Sequence, residues 1–233
     1  MKNLEHREEW LESVLKNIRP GLKILDAGAG ELQYKKYCGH LDYVSQDFGQ
    51  YTGEGDGQGL QMKNWDNSKL DIVSDIVNIP VADQSFDVIM CVEVFEHIPE
   101  PIKVVQEFSR ILKPGGRLII TAPFCSLTHF APYFFYTGYS KYWYEKFLEI
   151  NGFDVEEINF NGNYFDYLIQ ELKRLYYIVL EYVQLNIIIK VLLGMILTIP
   201  LLIVLVGLKI FSLFNKKSEE ILCFGVEIIA KKK

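Results

Sequence analysis

The residues best suited to chemistry fall in short, ordered clusters. The first is Asp26-Ala27-Gly28-Ala29-Gly30, directly after an apolar run. Two glycines there let the backbone turn sharply and approach a ligand, and a helix starting at that point would present unpaired N–H groups. Seventeen residues beyond Gly30 stands Asp47, at the end of YVSQD. A carboxylate in that place can accept hydrogen bonds from both hydroxyls of a ribose. Asp75 and Ile76 follow in SDIVNIP, and FDVIMCVEVFEHIPEP then brings Cys91, Glu93, Glu96 and His97. The two glutamates and the histidine are acid–base candidates. His129 is the last, in a segment with eight aromatic residues between Phe124 and Tyr142. A dinucleotide fingerprint needs a third glycine at position 33; Gln33 stands there, which disfavours nicotinamide binding.

These residues need elements to hold them. Short apolar runs alternate with helical patterns through the first 160 residues, the signature of an α/β protein with a mostly parallel sheet. The expected strands cover residues 22–27, 43–47, 72–76, 86–92, 116–122 and 152–160; the expected helices cover 3–18, 31–38, 101–112 and 140–150. Five glycines in the eleven residues from Gly49 to Gly59 predict a long mobile connection, a lid or a plain linker. Beyond Asn163 the period changes. Gln170, Lys173, Arg174, Tyr177, Glu181 and Gln184 form a narrow polar stripe on an otherwise apolar helix, and Val191 to Leu208 is eighteen residues without a charge. A strand pattern, ILCFGVEIIA, follows at 221–230.

Taken together, ILDAGAG, SQDF, SDIVNIP, SFDVIMCVEVFEHIPEP and LKPGGRLIITAP resemble, in order, the motifs of the class I, Rossmann-like S-adenosylmethionine-dependent methyltransferases with small-molecule substrates. The resemblance covers residues 22–123. It implies a Rossmann-like doubly wound sheet with S-adenosyl-L-methionine as cofactor. It also implies that Asp26, Gly28 and Gly30 line the methionyl end, Asp47 the ribose, Asp75 and Ile76 the adenine, and that Cys91 and Glu93 border the sulfonium. His97 becomes a positioning or proton-handling residue near the cofactor. The segment carrying His129 becomes the acceptor wall, with His129 as a base for an attacking hydroxyl. Leu32 departs from the pattern, since the family often has glycine there.

Composition bounds the rest. Of 233 residues, 49% are hydrophobic and 23% charged, which excludes a disordered or collagen-like chain. The net charge of −6 is unevenly spread. Residues 190–233 hold seven of the 24 Lys and Arg and three of the 30 Asp and Glu, a local +4 against −10 elsewhere. The acidic body offers no basic stripe for nucleic acid, while lysines clustered around the apolar run suit an anionic membrane surface. Cys38, Cys91, Cys125 and Cys223 show no CxxC or His-linked spacing, so no metal is expected, and the charged amino terminus has no apolar signal core. A reducing cytoplasm follows from both.

The expected organisation is therefore a methyltransferase domain over 1–163, an apolar helical insertion over 164–217, and a final strand with a basic tail over 218–233. If the strands on either side of the insertion share one sheet, both its ends lie on the same side of a membrane, and a single crossing is forbidden. What remains is a hairpin dipping into the bilayer, an interfacial pair, or a covered soluble insertion. The expected function is methyl transfer to a small-molecule, saccharide or lipid-linked acceptor at the cytoplasmic membrane face. The alternatives are a soluble enzyme that dimerises through the apolar segment and a non-catalytic sensor of the cofactor.

Overall fold

A computed structural model describes residues 3–233. Met1 and Lys2, which open the expected first domain, lie outside the described residues. The elements run α1 (Asn3–Lys16), β1 (Lys23–Ala27), β2 (Asp42–Asp47), β3 (Ile72–Val73), β4 (Phe86–Val92), α2 (Pro101–Ile111), β5 (Leu112–Pro123), α3 (Lys141–Ile150), β6 (Phe153–Asn161), α4 (Tyr164–Tyr182), α5 (Ile187–Leu213) and β7 (Gly225–Lys232). The seven strands form one sheet in the order β3-β2-β1-β4-β5-β7-β6. β1 to β5 pair in parallel, whereas β7 runs antiparallel to β5, with Ile119 opposite Ile229.

The strands are apolar because both faces are covered. Along β4, Val88, Met90 and Val92 pack with Leu11 and Leu15 of α1 and with Ile24 and Ile119, while the alternate residues Ile89 and Cys91 are also fully buried. Phe95 joins Phe108 of α2 and Tyr144 of α3 in a second aromatic core.

Three expectations fail for local reasons. No α-helix forms over 31–38: Leu32 takes a φ of 63°, which breaks a right-handed helix, and only a 3₁₀ turn at Lys35–Tyr37 follows. β3 stops at Val73 rather than continuing to Ile76. Asp75 instead turns the chain, its Oδ1 accepting the Val77 N–H at 3.1 Å. The glycine-rich connection is not loose. Asp56 N–H donates to Ala131 O, Leu60 N–H to Thr128 O and Phe130 N–H to Leu60 O, at 3.0 to 3.1 Å. A Cβ on Gly59 would lie 2.5 Å from the Thr128 carbonyl oxygen, so glycine is needed for this close approach.

The chain divides into two compact units, residues 160–224 and the remainder, against the expected 164–217 insertion. The smaller unit is a helical hairpin. Asn163 caps α4 by accepting from Phe165 and Asp166 N–H, and Asn186 caps α5 through Ile188 N–H. At the open end Lys209 pairs with Asp166 at 3.6 Å and Asn163 donates to Ser212 Oγ at 3.1 Å; at the turn Lys190 Nζ donates to Leu180 O at 2.6 Å. Neither helix has a buried residue. β6 and β7, which carry the two ends of this unit, are neighbours in the sheet.

Candidate active site

The site lies at the carboxyl ends of β1, β2, β4 and β5, where an open parallel sheet places its ligands. After β1 the chain turns through Gly28 (φ 79°) and Gly30 (φ 49°). The turn is tied to β2: Gly28 and Ala29 N–H donate to Gln46 O at 2.8 and 2.9 Å. A Cβ on Gly28 would sit 2.4 Å from Val94 Cγ2, and one on Gly30 would sit 2.5 Å from the Trp65 ring. Any side chain at either position displaces the wall of the site.

Asp47, the last residue of β2, is nearly buried and held by two backbone donors. Gly30 N–H donates to Oδ2 at 3.1 Å and Gly49 N–H to Oδ1 at 2.9 Å. A carboxylate has about four acceptor positions, so each oxygen keeps a lone pair for a ligand hydroxyl. Asp26 is 2% exposed and accepts from the Tyr43 hydroxyl at 2.6 Å; burial, with Asp47 nearby, pushes its carboxyl up to about 7. Asp75 is exposed just past β3, with Ile76 buried beside it. Cys91 is wholly buried inside β4 and its thiol is pushed well above the ordinary range by that burial, so it packs in the core. Glu93 is committed elsewhere: Thr121 Oγ1 donates to its Oε1 at 2.9 Å, Arg7 Nη1 meets its Oε2 at 2.8 Å, and its φ is 54°.

Facing the glycine turn is an aromatic wall. Tyr51, Trp65 and Phe130 are mutually in contact, Tyr51 and Phe130 stacked at 4.5 Å, and Phe130 stacks in turn on His97 at 5.2 Å. His97 and His129 meet edge to face at 4.7 Å. Between them stands Glu96, 1% exposed, with Oε1 3.7 Å from Nε2 of each imidazole. Burial drives the Glu96 carboxyl up and the His97 imidazole down to about 4. Burial also opposes charge on His129, but the Glu96 carboxylate and the Leu127 carbonyl outweigh it and raise that group. Residue spacing made Glu96 one acid–base candidate among several; its place between two histidines is set by contact across 33 residues. Arg7, which holds Glu93, had no signal in a charged helix. Trp65 had none in a glycine-rich loop.

This geometry, a glycine turn after β1, a nucleoside-ready carboxylate ending β2, and one antiparallel strand inserted next to the sheet edge, defines a Rossmann-like fold built for a nucleoside cofactor. The model of a methyltransferase domain family matches residues 25–120. That match and the strand order agree with the class I S-adenosylmethionine-dependent methyltransferase motifs of the sequence. Among curated proteins the chain is 27% identical over 124 residues to the demethylmenaquinone methyltransferase of Staphylococcus saprophyticus, covering 50% of this chain and 52% of that one. It is 28% identical over 110 residues to a probable tRNA methyltransferase 9B of Mus musculus, covering 46% and 23%. A putative sarcosine dimethylglycine methyltransferase from Galdieria sulphuraria shares the fold with a TM-score of 0.58 at 16% identity, over 98% of this chain and 86% of that one. The chain spans about half the length, or less, of the first curated relatives it matches.

Proposed function

We propose that this chain transfers a methyl group from S-adenosylmethionine to a small acceptor with an apolar body, delivered from the cytoplasmic face of a membrane. The observation that carries the reading is the Asp47 carboxylate, fixed by two backbone amides beside the glycine turn and opposite the aromatic and histidine wall. Asp47 would hold the ribose, the 28–30 backbone the methionyl part, and Asp75 with Ile76 the adenine. Bound there, the cofactor supplies an activated methyl group on a positively charged sulfur. The chain's own work is then alignment, which can supply roughly 7 to 11 kcal/mol. The rings of Phe130 and Phe134 suit an apolar acceptor and exclude water.

The membrane part of the reading is supported by α5. Its 27 residues would reach about 40 Å, it is apolar on all sides, and Ile196, Ile199 and Ile203 are each more than two-thirds exposed. A helix apolar all round belongs in a core or in lipid. α4 carries Asp166, Glu171, Lys173, Arg174 and Glu181 and so suits the interface rather than the bilayer interior. A hairpin lying in the interface, α5 sunk below α4, meets both conditions. A nucleic-acid acceptor, the class named for the mouse relative, is opposed by the −10 charge of the body.

The test is labelled S-adenosylmethionine incubated with fractionated cell extract. Label entering the lipid-soluble fraction, and lost with Asp47→Ala, is the expected result. Label confined to water-soluble metabolites would favour the second reading, a soluble enzyme whose α5 faces another copy. Failure to bind S-adenosylhomocysteine would overturn both.

A further inference from the structure

The wall facing the glycine turn contains three groups that make no hydrogen bond to one another. His97 Nδ1 is bonded to Tyr133 O, and His129 Nδ1 to Leu127 O at 2.8 Å. A carbonyl oxygen only accepts, so in each ring Nδ1 carries the hydrogen and Nε2 presents a lone pair. Both lone pairs face Glu96 Oε1 at 3.7 Å, too far for a hydrogen bond. Glu96 Oε2 and His97 Nε2 have no hydrogen-bond partner although both are buried. One carboxylate oxygen and two imidazole nitrogens, all within 4.8 Å, make up the donor set of a three-ligand cation site. The tautomers are fixed by backbone carbonyls in the way that metal-binding histidines are oriented.

We propose that Glu96, His97 and His129 bind a first-row divalent transition-metal ion at the acceptor side of the site. Imidazole and carboxylate together select ions such as zinc, iron(II) or manganese(II) over magnesium or calcium. Bond lengths near 2.0 Å in a tetrahedral arrangement need ligand atoms roughly 3.3 Å apart, a few tenths of an ångström closer than the two 3.7 Å carboxylate–imidazole distances, while the widest separation, within 4.8 Å, has to close further. Three protein ligands leave a coordination position open, the pattern of catalytic rather than structural sites. That position would take an oxygen of the acceptor and favour its ionised form, which makes the substrate a hydroxyl-bearing molecule. This substrate class rests on the methyltransferase reading; the metal site itself does not.

The experiment titrates chelator-treated protein with Co²⁺, followed by visible absorption, and with Zn²⁺ by equilibrium dialysis. One ion per chain is expected, with at least tenfold weaker binding in His129→Ala and in His97→Gln. S-adenosylhomocysteine affinity, measured on the same samples, should change little in either variant, which confirms folding and tests the cofactor reading apart from the metal. Absence of binding by Co²⁺, Zn²⁺ and Mn²⁺ at millimolar concentration would overturn the proposal, as would binding that both variants retain. Metal binding without S-adenosylhomocysteine binding would leave the site standing and remove the methyltransferase reading.

Discussion

Asp26 and Glu227 are two buried acids that titrate near neutrality. Burial raises Asp26 to about 7, and burial with the nearby Glu93 charge raises Glu227 to about 8; Glu227 contacts His6 Nδ1 at 3.1 Å. Each is more acidic in the unfolded chain, so the unfolded state ionises first. The stability each contributes is complete below about pH 4 and drains as pH rises through 7 and 8. Thermal unfolding of the ligand-free protein should therefore fall in temperature between about pH 4 and 8, and Asp26→Asn should flatten the lower part of that fall. The change at Asp26 is on the order of a few kcal/mol. A profile unchanged by Asp26→Asn would show that this carboxyl is not the one titrating. Leu32 carries a different strain, a left-handed backbone without glycine, so Leu32→Gly should keep or raise the unfolding temperature, whereas Gly28→Ala, with Val94 2.4 Å from the added carbon, should lower it by several degrees. The cofactor-side positions could be read in the sequence because each follows a strand at a spacing the ligand dictates. Glu96 between two histidines could not, because the distant loop that brings His129 is tied to it through Phe135 and Tyr136 N–H, which donate to the Glu96 carbonyl.

At the scale of elements, β4 and α2 formed as their patterns required, since one alternates or fills a buried face and the other repeats at helical spacing between Pro101 and Lys113. The glycine-rich stretch misled, because many glycines signal freedom unless something approaches them closely. Here Thr128 and Ala131 carbonyls do, so Gly59→Ala should push the 128–131 segment away and weaken both Co²⁺ binding and stability, the latter by about 1 to 3 kcal/mol. The hairpin offers a separate test. Ile196 and Ile203, on one face of α5 two turns apart, are exposed, so Ile196→Lys with Ile203→Lys should leave folding intact and reduce flotation with lipid vesicles by an order of magnitude or more. Unchanged flotation would remove α5 as the membrane element.

For the whole molecule, charge and topology act together. The +4 of residues 190–233 and the −10 of the rest predict that vesicle binding strengthens with anionic lipid and weakens with salt, while S-adenosylhomocysteine binding responds to neither. The position of β7 between β5 and β6 carries one more consequence, in time rather than in space. A ribosome delivers the hairpin before it delivers β7, so the sheet is still missing an inner strand when α5 first meets water. The apolar helix, uncovered even in the finished fold, has only lipid or a chaperone to turn to, and a nascent chain stalled after Leu213 should already be found with membranes while still unable to bind the cofactor.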